Sequence, residues 1–551
     1  MAVCAPATAV ARPGIALRFP ASRISTQIHP SSGILVHPSP LTAPPSHSLA
    51  LRAAGMSGRL PVMRPRRLGA AYASSAAAPA PGGDEVPPEA AEEGAVPVDS
   101  PSSAPVETPL GPVLLAVALA CMGAIEFGYH IAIVNGPLEV MASQLGFAGQ
   151  QALMGAVVSS FLAGSAVGAL TGSGVADAQG RRKGLIMSSV PLFLGALIMA
   201  AAPDFLTIAI GRFVTGLGVG LSSCMVPIYI AEVAPTALRG ALGSVTQIGI
   251  CSGILVAQVV NLLLPVEAWR TMMALAGVPA LVLILGMLFV CPESPRYLAA
   301  KGKIEEAKKA GAWLWGPAAP DNLKDALAAA KGDKPQEAVP VSELFKGKNT
   351  KVALIAFMIF LFQQFSGVNA VFFFSSSVFK QAGIQSVALA NAVTGLVNVL
   401  GTIAAASVIE KLGRKTLLYS SFTGQGICML VMGLALALPA LEAVRTPLVL
   451  FGTLAYILCF AVGCGPIPSL LVPEIAPERI RGLAVSLAMT SHWTCNFMVG
   501  QLFLPLVDAV GVSGVYYFFA ATCLLAVLFA AKVIPETKGR SLEEIEAMMS
   551  K

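Results

Sequence analysis

Twelve apolar stretches constrain this chain more than any other feature. They run over 112–135, 151–175, 184–202, 206–231, 241–264, 270–290, 351–379, 386–408, 416–438, 446–472, 482–507 and 511–534. At about 1.5 Å per helical residue, stretches of this length cross a hydrocarbon core of about 30 Å. In lipid every backbone N–H and C=O needs a partner inside the protein, so such stretches become helices. Gly and Ala pervade them, which suits close helix contact. Only 12% of the residues are charged, about half the share of a soluble domain. The expected fold class is an all-α membrane protein with twelve transmembrane helices.

A polar insert, 291–350, divides the spans six and six. It carries Lys301-Gly-Lys-Ile-Glu-Glu-Ala-Lys-Lys309, a charge pattern typical of exposed helix. The halves repeat. Asp177-Ala-Gln-Gly-Arg-Arg-Lys183 returns as Glu410-Lys-Leu-Gly-Arg-Lys-Thr416. Glu232-Val-Ala-Pro-Thr-Ala-Leu-Arg-Gly240 returns as Glu474-Ile-Ala-Pro-Glu-Arg-Ile-Arg-Gly482, and Pro292-Glu-Ser-Pro-Arg296 as Pro535-Glu-Thr-Lys-Gly-Arg540. The separations are 233, 242 and 243 residues, as in a duplicated bundle. The expected units are an N-terminal six-helix bundle at 111–290, the helical insert, a C-terminal bundle at 351–535 and a polar tail at 536–551. All six motifs fall on the side of the insert and the termini. The opposite loops carry few bases, chiefly Arg270, Lys380 and Arg445. The chain thus has one basic face.

Ahead of the spans, residues 1–83 contain eight Arg and no Asp, Glu or Lys. An acid-free leader rich in Arg and Ser, without a long apolar core, reads as an organellar transit peptide. Its many prolines disfavour an amphipathic helix and point to the plastid. The expected extent is 1–77, followed by a disordered acidic linker, 78–110, whose seven acids from Asp84 to Glu107 have no base among them.

The ten cysteines and five histidines are dispersed, with no metal spacing. No nucleophile elbow or phosphate-binding glycine loop appears. We therefore expect no enzyme, metal site or cofactor, and no nucleic-acid partner. The informative polar residues lie inside the spans. Phe362-Gln-Gln-Phe-Ser-Gly-Val-Asn-Ala370 places three amides in an apolar run. Such amides either bond to neighbouring helices or line a cavity for a neutral polar solute. Gln363 and Asn369 are about 240° apart on a regular helix, but a break at Ser366-Gly367 would turn both to one place. On the fifth span Gln247 and Gln258 lie within ~20° of one face.

Gly180-Arg-Arg182, Gly211-Arg-Phe213, Pro292-Glu-Ser-Pro-Arg296, Gln363-Gln364, Ser366-Gly-Val-Asn369, Gly463-Cys-Gly-Pro-Ile-Pro468 and Pro535-Glu-Thr-Lys-Gly-Arg540 occur in this order. Together they resemble the sugar porter branch of the major facilitator superfamily, over about 110–545. Phe127-Gly-Tyr-His-Ile-Ala-Ile-Val-Asn135 resembles the first helix of facilitative glucose transporters. The resemblance implies two six-helix bundles that rock about a central site, and a hexose, probed first as glucose, as substrate. It implies sugar contacts from Gln247, Gln363, Gln364, Asn369, Asn398, Trp493 and Asn496. The chain departs from the family pattern at Ser469 (often Trp), Ala461 (often Glu), Phe373 and Phe374 (usually Tyr) and His492 (commonly Asn). With the leader, the expectation is a multi-pass protein of the plastid envelope, the inner membrane in particular, acting as a monomer.

The repeated charges suggest a gate. Arg181, Arg182, Glu232, Arg239, Glu293 and Arg296 of one half, and Glu410, Arg414, Glu474, Arg481 and Glu536 of the other, are expected to pair between bundles when the opposite face is open. Proton-coupled relatives carry Asp where this chain has His130. Glu126, His130 and Arg212 are candidates for a proton or ion-pair site. The i, i+4 spacing lets Glu126 and His130 face the same way, and the resemblance implies Arg212 as the partner. The expectation is that Glu126 and His130 pair with each other or with Arg212. Facilitative transport is the primary expectation. Proton symport is the alternative, with a non-transporting sugar sensor as a third reading.

Overall fold

A computed structural model describes residues 109–235, 238–319, 322–324, 339–540 and 542–549. The leader and nearly all of the linker lie outside the described residues. Among the described residues, eleven helical stretches are long and apolar enough to cross a membrane. We label the spans α1 (Leu110–Ala132), α2 (Gln151–Gln179), α3 (Arg181–Ala201), α4 (Phe205–Val233), α5 (Val245–Leu263) and α6 (Val266–Phe289). The second half comprises α7 (Asn349–Gln381), α8 (Val387–Leu412), α9 (Arg414–Ala437) and α10 (Pro439–Ile475). The last stretch, Arg481–Lys532, is two helices meeting at Gly511, whose φ of 74° and ψ of 164° end one and begin the next. These are α11 (481–510) and α12 (512–532), so the described residues hold twelve spans.

Helix ends follow local chemistry. Asp204 caps α4 by accepting from the Thr207 amide at 2.8 Å, and that bond holds its carboxyl below the usual range. Small residues set the helix contacts. A Cβ on Gly128 of α1 would land on the Ile250 carbonyl of α5, so the two backbones touch. The insert begins with short helices at Pro295–Ala300 and Ile304–Trp315. Trp315 is buried and donates to the Val233 carbonyl at 3.0 Å, tying the insert to the basic end of α4.

The polar and ring contacts described between the bundles lie at mid-membrane or on the short-loop side. Asn135 at the end of α1 donates to Ser375 Oγ at 2.7 Å and accepts from the Ser376 amide at 3.0 Å. Ser159 of α2 donates to Gln501 of α11 at 2.6 Å, and Lys380 pairs with Glu139 at 2.6 Å. Phe127 meets Trp493 at a centroid distance of 5.7 Å, and Cys251 lies 3.2 Å from Thr402 Oγ1. The bundles are thus latched on the short-loop side.

Candidate functional site

The site begins at a break in α7. The helix runs Asn349–Phe365 and again Val368–Gln381. Gly367 between them sits at φ 100°, left-handed backbone where glycine is favoured. A Cβ there would also stand 2.6 Å from Phe519. Tyr456 of α10 donates to the Ser366 carbonyl at 3.0 Å, satisfying an acceptor the break exposes.

The break joins the three amides. Asn369 Nδ2 donates to Gln364 Oε1. Gln364 Nε2 donates to Gln363 Oε1 at 3.0 Å and to His492 Nδ1 at 2.8 Å. An amide NH₂ only donates, so His492 accepts at Nδ1 and carries its proton on Nε2. Gln363 Nε2 ends the chain on the carbonyls of Cys464 (2.8 Å) and Gly465 (3.2 Å). Cys464 ends a one-turn π-helix, Phe460–Cys464, within α10, and Gly465 is the residue that follows it. Ser421 of α9 donates to the Cys459 carbonyl at 2.7 Å and accepts from the Cys464 amide at 2.9 Å. Gln363 ties the α7 break to the α10 break, while Gln364 and Asn369 extend the chain of bonds beyond it.

His492 belongs to this chain of bonds, although the sequence marked it only as a departure. Its neighbour Trp493 is buried, packs against Phe127 across the bundle interface and leaves Nε1 without a partner among the described residues. Asn496, one turn on, leaves Oδ1 unpartnered. Gln247 of α5 donates to Cys251 Sγ at 3.6 Å, and the Asn398 amide of α8 approaches the same sulfur. The expected contacts thus form two groups, one around the α7 break and one at the α5–α8 joint. A neutral ring of hydroxyls suits both, because amides give donors and acceptors without charge, and an indole can stack on an apolar ring face.

The pairing expected among Glu126, His130 and Arg212 is not formed. Arg212 is fully buried and donates to the carbonyls of His130 (3.0 Å) and Val157 (3.2 Å), with its guanidinium over Phe161 at 4.5 Å. Both carboxylate oxygens of Glu126 and both ring nitrogens of His130 are unpartnered among the described residues. Spacing of i, i+4 put Glu126 and His130 on one flank of α1. It gave no information on where α4 would aim its arginine, whose Nε and Nη1 go to backbone carbonyls while Nη2 has no partner among the described residues.

The charges on the basic face form matched clusters, each within one bundle. Glu293 accepts from the backbone amides of Arg181 (2.9 Å) and Arg182 (3.0 Å), capping α3. Arg181 pairs with Glu232 at 3.0 Å. In the second half Glu536 accepts from the amides of Arg414 (2.9 Å) and Lys415 (3.1 Å), capping α9, and Arg414 pairs with Glu474 at 3.1 Å. Arg239 is exposed and donates to the Ala231 carbonyl at 3.1 Å. Arg481 is half-buried, with Nε unpartnered among the described residues. Arg296 lies in Pro295–Ala300, and the Glu410 side chain lies outside the described residues. The charge pairs named here thus lie inside each bundle in this state.

A model of sugar (and other) transporters matches residues 116–549. The chain belongs to the sugar transporter family. Among family relatives, "Plastidic glucose transporter 4" of Arabidopsis thaliana is 46% identical over 80% of this chain and 81% of its own. A mouse facilitated glucose transporter, member 4 of solute carrier family 2, is 35% identical over 79% of this chain and 90% of its own. The inward-open structure of the Escherichia coli xylose transporter XylE superposes with a TM-score of 0.67 at 28% identity, covering 79% of this chain and 99% of that one. These likenesses accord with the major facilitator arrangement of twelve spans.

Proposed function

We propose that this sugar transporter family member carries hexose, with D-glucose as its reference substrate, across the plastid envelope by alternating access. It carries sugar down its gradient without proton coupling and acts as a carrier rather than an enzyme, working as a monomer in the inner membrane. The observation that carries this reading is the amide chain Asn369–Gln364–Gln363 at a helix break. It is an uncharged polar surface in the middle of a membrane bundle. The kinship with plastidic glucose transporters supports the substrate and the compartment. Purified protein in liposomes is expected to equilibrate labelled D-glucose and not L-glucose; equal rates for the two would overturn the reading.

The expected sugar contacts are Gln247, Gln364, Asn369, Asn398, Trp493 and Asn496, with Gln363 holding the others in place. The leader, 1–77, delivers the chain and is then removed. A fluorescent fusion to the full chain is expected at the plastid rim, and the same fusion lacking the leader elsewhere; plasma-membrane signal from the full chain contradicts this.

Alternation requires the two faces to open in turn. The short-loop latch of Asn135, Ser375 and Glu139–Lys380 holds one closed, and the clusters on the basic face re-pair between bundles when the other closes. An exposed pair supplies ~1 kcal/mol or less, enough to bias a two-state equilibrium. Lys380→Glu is therefore expected to favour opening on the short-loop side. Glu139→Lys in the same chain restores the balance, and Arg481→Glu has the opposite effect. Labelling of single cysteines from each side of the membrane measures the shift. Identical labelling in all these variants would show that the charges do not set the equilibrium.

A further inference from the structure

The latched side of the structure holds buried amide atoms with no partner among the described residues. Gln258, on α5 toward the short-loop face, is 1% exposed, and neither Nε2 nor Oε1 has a partner among the described residues. Three residues on, Asn261 points Nδ2 at the Ala132 and Ile133 carbonyls (3.5 and 3.4 Å) where α1 ends, leaving Oδ1 unpartnered. A leucine at 258 would fill the same space without desolvating two polar atoms, so the amide is costly in this conformation. What faces it belongs to the other bundle: a Cβ on Gly395 of α8 would stand 3.4 Å from Gln258 Oε1. The α5–α8 contact therefore parts when the short-loop side opens, and Gln258 is then uncovered together with Asn261.

We propose that Gln258, supported by Asn261, is an entry subsite for the sugar, offered only when the protein opens to the short-loop face. Gln258 lies eleven residues beyond Gln247, about 16 Å further along the helix. The subsite thus precedes the mid-membrane contacts on the inbound path from that side. An amide presents a donor and an acceptor together and no charge, which fits a neutral polyol ring. The subsite is hidden in the state described here, so it contributes to binding from one face alone.

The inference rests on the transport reading, and its test separates the two. Wild-type protein in liposomes that fails to carry D-glucose overturns the transport reading and the subsite with it. With carriage established, the cysteine of Gln258→Cys is expected to react with a membrane-impermeant maleimide added on the short-loop side, above the wild-type background. D-glucose slows that reaction and L-glucose does not. Loss of one hydrogen-bonding group in Gln258→Leu should raise the half-saturating D-glucose concentration from that face about three- to tenfold. The value from the basic face stays unchanged. Gln258→Asn recovers part of the loss. Absence of labelling, labelling indifferent to D-glucose, or an equal change from both faces overturns the subsite alone.

Discussion

Gln364→Ala is expected to lower D-glucose transport about tenfold or more while the protein still folds and inserts. Gln364 is the middle of the amide chain. It receives Asn369, gives one proton to Gln363 and the other to His492. Truncation removes a sugar contact and orphans these neighbours in a buried setting, where each unmet group costs ~1–3 kcal/mol. One such loss, realised in the sugar-bound state, is about a factor of ten. Folding is less affected, because Gln363 keeps its bonds to the α10 carbonyls. Initial rates in liposomes, set beside the detergent melting curve, measure both effects. Wild-type kinetics would remove Gln364 from the sugar path. Unfolded protein would mean the chain of amides is structural only.

Gly413→Ala should give the second large effect, this time on stability. Gly413 has φ 88° and ψ 162°, a region essentially restricted to glycine. A Cβ there would lie 2.6 Å from Glu536 Oε2, the carboxylate that caps α9. Backbone strain of ~1–3 kcal/mol adds to the loss of charged hydrogen bonds, each ~1.5–3 kcal/mol. The variant should melt several degrees below wild type. Glu536→Gln keeps the shape and weakens only the charge, so its shift should be smaller. Gly180→Ala should repeat the effect in the first half, since a Cβ on Gly180 would stand 2.5 Å from Glu293 Oε2. Wild-type melting in both glycine variants would contradict the account of the caps.

The duplicated motifs made the architecture legible. Hydrophobic length gave the spans, and the recurring Gly-Arg and Pro-Glu pairs gave the two halves. Their roles were less legible. Glu293 and Glu536 act on backbone amides more than a hundred residues away, and no local pattern states where a carboxylate will land after the bundle closes. They read as gate charges and prove first to be helix caps. Likewise the break at Ser366-Gly367 could be read from the glycine. The π-turn of α10 that receives Gln363 could not, because it arises from how α7, α9 and α10 meet. Glu126 and His130 were visible as polar residues on α1, yet their isolation depends on Arg212 donating to the carbonyls of His130 and Val157 and not to their side chains. That is a tertiary fact.

The central claim is carriage of sugar down its own gradient without a proton. α1 carries Gly128-Tyr129-His130, and neither carboxylate oxygen of Glu126 has a partner among the described residues. The decisive measurement is the plateau of labelled D-glucose in liposomes under an imposed pH gradient. The account predicts that the internal concentration rises to the external one and stops there, with or without a protonophore. Accumulation above that level that collapses with a protonophore, and disappears in Glu126→Gln, would show that the protein is a proton symporter whose proton site includes Glu126.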